Sequence, residues 1–101
     1  MSYHTKTMPD GRLLNVDKLL ALVAHRRGVL KPLASLRGIK RSRQTGFSMK
    51  RYAKADLRFP IIADETGLVL DGRHRYFKAL DAGISDSFVI TASREEIEQC
   101  L

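Results

Sequence analysis

The segment over residues 59–83 constrains this chain most. Residues 59–64 (FPIIAD) form an apolar run of strand length, Glu65-Thr66-Gly67 carries turn residues, and residues 68–71 (LVLD) form a second apolar run. Two such runs joined by so short a connection predict a β-hairpin. Gly72 then starts a tight turn into a helix predicted over 73–82, and Gly83 stops that helix. Pro60 puts the first run at a sheet edge or at a strand start, because proline has no N–H for a ladder. Residues 87–91 (SFVIT) read as a third strand, and Ser93-Arg94-Glu95-Glu96 is a capping box that opens a last helix over 94–100.

The part before residue 59 is helix-rich and less regular. Residues 1–11 read as a flexible lead-in to a single domain over 12–101. Leu13 and Leu14 suit a short strand. Asn15 is an N-cap for a helix over 16–27, where Val16, Leu19, Leu20 and Val23 fall on one face. Gly28 stands where a left-handed residue would end that helix. Pro32 and Gly38 break the periodicity of residues 29–47, which predicts a short helix or turn followed by an exposed basic loop. Ser48 is the N-cap of a helix over 49–56. The expected fold class is α+β, a mixed sheet with packed helices. Its expected core holds Ile61, Leu68, Leu70, Phe77, Leu80, Ile84, Val89 and Ile90, with Tyr76, Phe59 and Phe88 beside it. His4 and His25 read as surface residues without partners.

A length of 101 residues accommodates one domain, since domains commonly run to roughly 100–150 residues. The 44% hydrophobic and 29% charged fractions are ordinary for a globular chain and exclude wholesale disorder. No apolar run approaches the roughly 20 residues that span a bilayer, so no membrane partner is expected. The N-terminus lacks the apolar stretch of a secretory signal. Cys100, the single cysteine, cannot form an internal disulfide and reads as incidental near a frayed end. A reducing, cytoplasmic setting fits.

The formal net charge is +7, and it is lopsided. Residues 1–58 hold 14 basic and 3 acidic side chains, whereas residues 59–101 hold 4 and 8. A basic half on an otherwise balanced chain is the footprint expected for polyanion contact. Arg37, Lys40, Arg41 and Arg43, followed by Lys50, Arg51 and Lys54, are the candidate nucleic-acid contacts, with DNA ahead of RNA. A charge run of this kind is also a common solvated face.

The sharpest feature is the text Asp71-Gly72-Arg73-His74-Arg75-Tyr76-Phe77-Lys78. A helix N-terminus carries partial positive charge and free N–H groups, so cations in the first turn are a local violation. An anion docked on those N–H groups reverses the sign of the penalty, and arginine binds phosphate bidentately. Gly72, Arg73, His74, Arg75 and Lys78 are therefore the candidate phosphate-binding residues, and Asp64 or Asp71 a candidate for Mg²⁺ or acid–base work. The alternative is that Arg73, His74 and Arg75 point into water, with Asp71 as N-cap and counter-ion. No metal-ligand spacing stands out.

Across residues 57–91 the chain resembles the ParB-like/sulfiredoxin-like superfamily. The resemblance rests on the proline-led strand Pro60-Ile61-Ile62-Ala63-Asp64, then Gly67-Leu68-Val69-Leu70-Asp71-Gly72-Arg73-His74-Arg75, then a helix closed by Gly83. It implies a phosphate-binding turn at Gly72, His74 and Arg75, which serves CTP in ParB proteins and ATP in sulfiredoxins; ATP or CTP with Mg²⁺ is the expected cofactor. Arg73 stands where sulfiredoxins carry their catalytic cysteine, so sulfinic acid reduction is not expected. Chromosome-partition members carry a different text after the glycine and a later helix-turn-helix domain. No room for one remains after Glu95, Glu96 and Glu98, so a partition role is not expected either. The nearer likeness is to short stand-alone ParB-like "nuclease" domains of phages and mobile elements.

Three functions follow as expectations. The first is a nucleotide-binding domain, with or without NTP hydrolysis. The second is nucleic-acid contact, with or without cleavage, although metal-dependent cleavage usually needs clustered carboxylates. The third is a non-catalytic protein that binds a host protein through its surface.

Overall fold

In the computed structural model, the description covers residues 4–39 and 48–101. The chain opens with a two-stranded hairpin. β1 (Thr5–Thr7) pairs antiparallel with β2 (Leu13–Asn15), Lys6 standing opposite Leu14. The lead-in expected over residues 1–11 is thus corrected over its described part, because residues 5–7 are a paired strand. Residues 1–3 lie outside the described set. Asn15 ends β2 and caps α1 (Val16–Val23), its side chain accepting from the Lys18 N–H at 3.0 Å.

α1 ends four residues before the predicted stop, and Gly28 does not lie in the left-handed region. The need for glycine at 28 comes from close packing. A Cβ there would stand 2.8 Å from the Cβ of Phe88 and 3.1 Å from that of Pro60. The short helix or turn expected after Gly28 is present, but a strand that was not expected precedes it. Residues Val29–Pro32 form β3, followed by a 3₁₀ turn over Leu33–Ser35. β3 runs along a sheet edge, where Val29 and Leu30 stay exposed and Pro32 loses no ladder bond it would need.

α2 (Met49–Lys54) is capped by Ser48, and β4 (Ile61–Asp64) and β5 (Val69–Asp71) make the expected hairpin. Pro60 stands just before β4, as a strand-start proline should. α3 (Arg73–Asp81) follows Gly72, then β6 (Asp86–Ala92), then α4 (Arg94–Glu98) with the predicted Ser93–Glu96 capping box in place.

The main sheet has the order β3-β6-β4-β5. β6 is antiparallel to β3 and parallel to β4, so the sheet is mixed. Both its faces are covered. Ile62, Leu70, Ile90 and Ala92 pack with Leu14 and with Val16, Leu19 and Val23 of α1 and Ile97 of α4. Ile61, Ala63, Val69 and Val89 pack on the other face with Leu33, Leu36 and Ala79 of α3. A strand covered on both sides is apolar at every position rather than alternating, which is why residues 61–63 carry no polar side chain. The result is one α+β domain of three layers.

Four expected core residues lie at the surface instead: Phe59, Leu80, Ile84 and Phe88 are exposed. Cys100 is the reverse case. It is only 3% exposed and packs in the α1–α4 core, so it is not an incidental residue of a frayed end. Among the described residues no helix is long and apolar enough to cross a membrane.

Candidate anion-binding cleft

The turn between β5 and α3 is shaped by Gly72. Its φ of 105° lies in the left-handed region, and a Cβ there would come within 3.1 Å of the Ile61 Cα. Any side chain would strain the turn and crowd β4. α1, α2 and α4 each begin with a side-chain cap, whereas α3 has none. Asp71, a candidate N-cap from the sequence, accepts instead from Arg75 Nη2 at 2.8 Å. Arg75 also donates through Nη1 to the Pro60 carbonyl oxygen. It is thereby a strut between the end of β5 and the start of β4.

His74 and Lys78 are engaged with the neighbouring helix. His74 Nε2 accepts the Ser48 N–H at 2.9 Å, at the N-cap of α2. Lys78 Nζ donates to the carbonyl oxygens of Ala53 at 3.0 Å and Ala55 at 2.8 Å, at the other end of α2. One turn further along, Asp81 accepts from the Tyr52 hydroxyl at 2.7 Å. Positions 74, 78 and 81 share one face of α3, and that face holds α2 along its whole length.

Arg73 differs from its neighbours. Its Nη1 is buried and has no hydrogen-bond partner among the described residues. Burial and the nearby Arg51 lower its pKa from the ordinary arginine value. Lys6 on β1 is lowered likewise, by burial and then by Arg73. The His74 imidazole is lowered by burial first, then by Arg73 and Arg51, with Asp71 acting in the opposite direction. These directions describe a group of cations pressed together. Among the described residues no carboxylate pairs with Lys6, Arg51, Lys54 or Arg73; Asp71 is held by Arg75, and Asp56 by Arg58 at 2.7 Å. The Arg58 hydrogen bonds bring the Asp56 pKa down to about 2.

These cations line one cleft of about 1170 Å³, bounded by β1, α1, the second half of α2, the Gly72 turn and residues 59–60. The structure thus brings together Gly72, Arg73, His74, Arg75 and Asp71 with Arg51 and Lys54, all of them named from the sequence. Asp64 stands away from them at the far end of the hairpin. Its Oδ1 accepts from the N–H groups of Thr66 at 2.8 Å and Leu68 at 2.9 Å and from the Thr66 hydroxyl at 2.6 Å, so it builds the turn. Arg37 bonds Thr66 at that same end, through Oγ1 at 2.5 Å. Lys50 is exposed on α2 and does not line the cleft. Lys40, Arg41 and Arg43 lie outside the described residues. Among the described residues no group of three or more metal-ligating side chains gathers.

Sequence reasoning missed Lys6 and Phe59 as cleft residues. A signal for Lys6 was present. Pro9-Asp10-Gly11 is a turn signature between Thr5-Lys6-Thr7 and Leu13-Leu14, enough to predict the β1–β2 hairpin. No protein-family model, curated protein or solved structure matches the chain.

Proposed function

We propose that this protein binds the phosphate groups of a nucleotide in the cleft beside the Gly72 turn. The observation that carries the reading is the Arg73 guanidinium, whose buried Nη1 has no partner among the described residues and which stands among cations that no described carboxylate neutralises. Buried donors are normally satisfied, and an unpaired buried cation is costly. A phosphate held between Arg73, Lys6 and Arg51 supplies both the acceptor and the counter-charge. The first turn of α3, which has no side-chain cap among the described residues, adds its N–H groups beside it. The cleft volume is of the order that takes a small organic ligand, which favours a nucleotide over a long polymer laid on a flat face.

The phosphate ligands on this reading are Arg73, Lys6, Arg51 and Lys54, with the Gly72 turn. His74, Arg75 and Lys78 build the frame that holds them. The likeness to ParB-like and sulfiredoxin-like proteins belongs to the same proposal, with ATP or CTP and Mg²⁺ as the ligands it suggests. Asp56 and Asp71, the carboxylates of the cleft, are both gripped by arginines, so the reading is of binding rather than of metal-assisted chemistry.

The test is a thermal-shift and calorimetric titration with ATP, CTP and sodium tripolyphosphate, each with Mg²⁺. Binding raises the melting temperature with ligand concentration. Its affinity weakens as salt rises, and Arg73→Ala removes it. A protein that takes up none of the three at millimolar concentration does not have this function. Binding of single-stranded DNA without any mononucleotide binding would move the reading to nucleic acid.

A further inference from the structure

The cleft is not cationic throughout. Besides Lys6, Arg51 and Arg73 it is lined by Leu20 and Ala24 from the α1 side and by Phe59 and Pro60 before β4. Phe59 is 63% exposed although Ile61, two residues on, is fully buried. Inorganic phosphate gains nothing from such a wall, whereas a nucleoside phosphate has one apolar, π-bearing end and one anionic end.

We infer that Phe59 is the base-stacking residue of this cleft, so that its ligand is a nucleoside phosphate whose base lies on the Phe59 ring and whose phosphates reach Arg73. The inference rests on the phosphate-binding reading above and adds the second half of the ligand. Its support is the exposure of Phe59 within the cleft and the way the backbone that carries it is held. The Phe59 N–H donates to the Asp56 carbonyl oxygen at 3.1 Å, and Asp56 is itself pinned by the Arg58 N–H at 2.9 Å. One residue on, the Pro60 carbonyl oxygen accepts from Arg75, whose other nitrogen holds Asp71 beside Gly72. A single side chain thus sets the spacing between the aromatic platform and the phosphate turn. The backbone that carries the ring is thus tied at both ends, and the exposed ring offers a face on which any base can stack.

The experiment compares ATP, CTP and sodium tripolyphosphate by calorimetry on the wild type, Phe59→Ala and Phe59→Tyr, with circular dichroism to confirm folding. The exposed ring makes both variants compatible with the fold. Nucleotides should bind the wild type about tenfold or more tighter than tripolyphosphate. Phe59→Ala should remove that advantage and leave tripolyphosphate unchanged, while Phe59→Tyr keeps it. Equal binding of nucleotide and tripolyphosphate by the wild type, or Phe59→Ala weakening neither or both alike, overturns the inference and leaves the phosphate site standing. Failure of all three ligands on the wild type overturns the phosphate site itself, and the inference with it.

Discussion

His74 Nε2 accepts the backbone N–H of Ser48 at 2.9 Å, so an imidazole on α3 secures the first turn of α2. An acceptor nitrogen must be unprotonated, and the lowered pKa of His74 agrees with that. A depressed folded-state pKa means that the unfolded chain takes up its proton at the higher pH. The contribution is therefore fully present above the unfolded value, about 6.5, and is lost as pH falls through the folded one. Melting temperature should be flat from about pH 8 to 7 and decline below about pH 6.5. His74→Gln, whose amide oxygen accepts without titrating, should flatten that decline. A decline of the same size in the variant would place its source elsewhere.

Arg73 and Arg75 are two residues apart and should respond in opposite ways. Arg75 holds Asp71 and the Pro60 carbonyl, and its side chain is 18% exposed. Arg75→Ala should cost about 2 kcal/mol in urea unfolding, the scale of hydrogen bonds to charged groups. Arg73 meets chiefly other cations, so Arg73→Ala should leave stability unchanged or raise it while abolishing tripolyphosphate binding. A loss of stability in Arg73→Ala matching that of Arg75→Ala would mean that Arg73 has a structural partner.

Gly72→Ala should destabilise by about 1–3 kcal/mol, the usual cost of a non-glycine residue held in a sparsely populated backbone region. The approach of its Cβ to the Ile61 Cα at 3.1 Å pushes the value toward the upper end. Gly11→Ala is the control. It shares a positive φ of 89° but has no atom within 4 Å of the added carbon, so it should carry the conformational cost alone. Urea midpoints of the two variants measure the difference, and equal values would remove the steric part.

Cys100 is buried, and burial raises its thiol pKa above the ordinary value. The thiolate is the reactive form, so native protein should label slowly with a thiol reagent such as dithionitrobenzoate. Unfolding in urea should raise the rate at least tenfold at the same pH, an estimate from the thiolate and access dependence of such exchange. Rapid labelling of native protein would show that the C-terminal turn opens readily.

The elements after residue 59 were legible because each rests on a local device. The Glu65-Thr66-Gly67 turn, the Gly72 elbow and the Ser93–Glu96 box all stand where the residues put them. β3 was not legible, because Val29-Leu30-Lys31-Pro32 becomes a strand only through β6, some sixty residues away. Periodicity misplaced Leu80 and Ile84, since α3 buries Phe77 and Ala79 and leaves Leu80 exposed, and Ile84 lies beyond the end of the helix. For the cleft, the violation of helix-end electrostatics pointed to the right turn. It did not tell which cations stay free, because the partners of His74 and Lys78 lie on α2, whose docking no local pattern encodes. Arg75 answers to Asp71 one turn back and to Pro60 fifteen residues earlier, and only the first partner sits at a helical spacing.

β6 is the penultimate element of the described chain, yet it lies between β3 and β4 and gives each its partner. Until residues 86–92 have left the ribosome, β3 has no neighbour and the β4–β5 hairpin has no third strand. The sheet is therefore completed only late in synthesis, and a chain released before Asp86 lacks the strand that joins β3 to the β4–β5 hairpin.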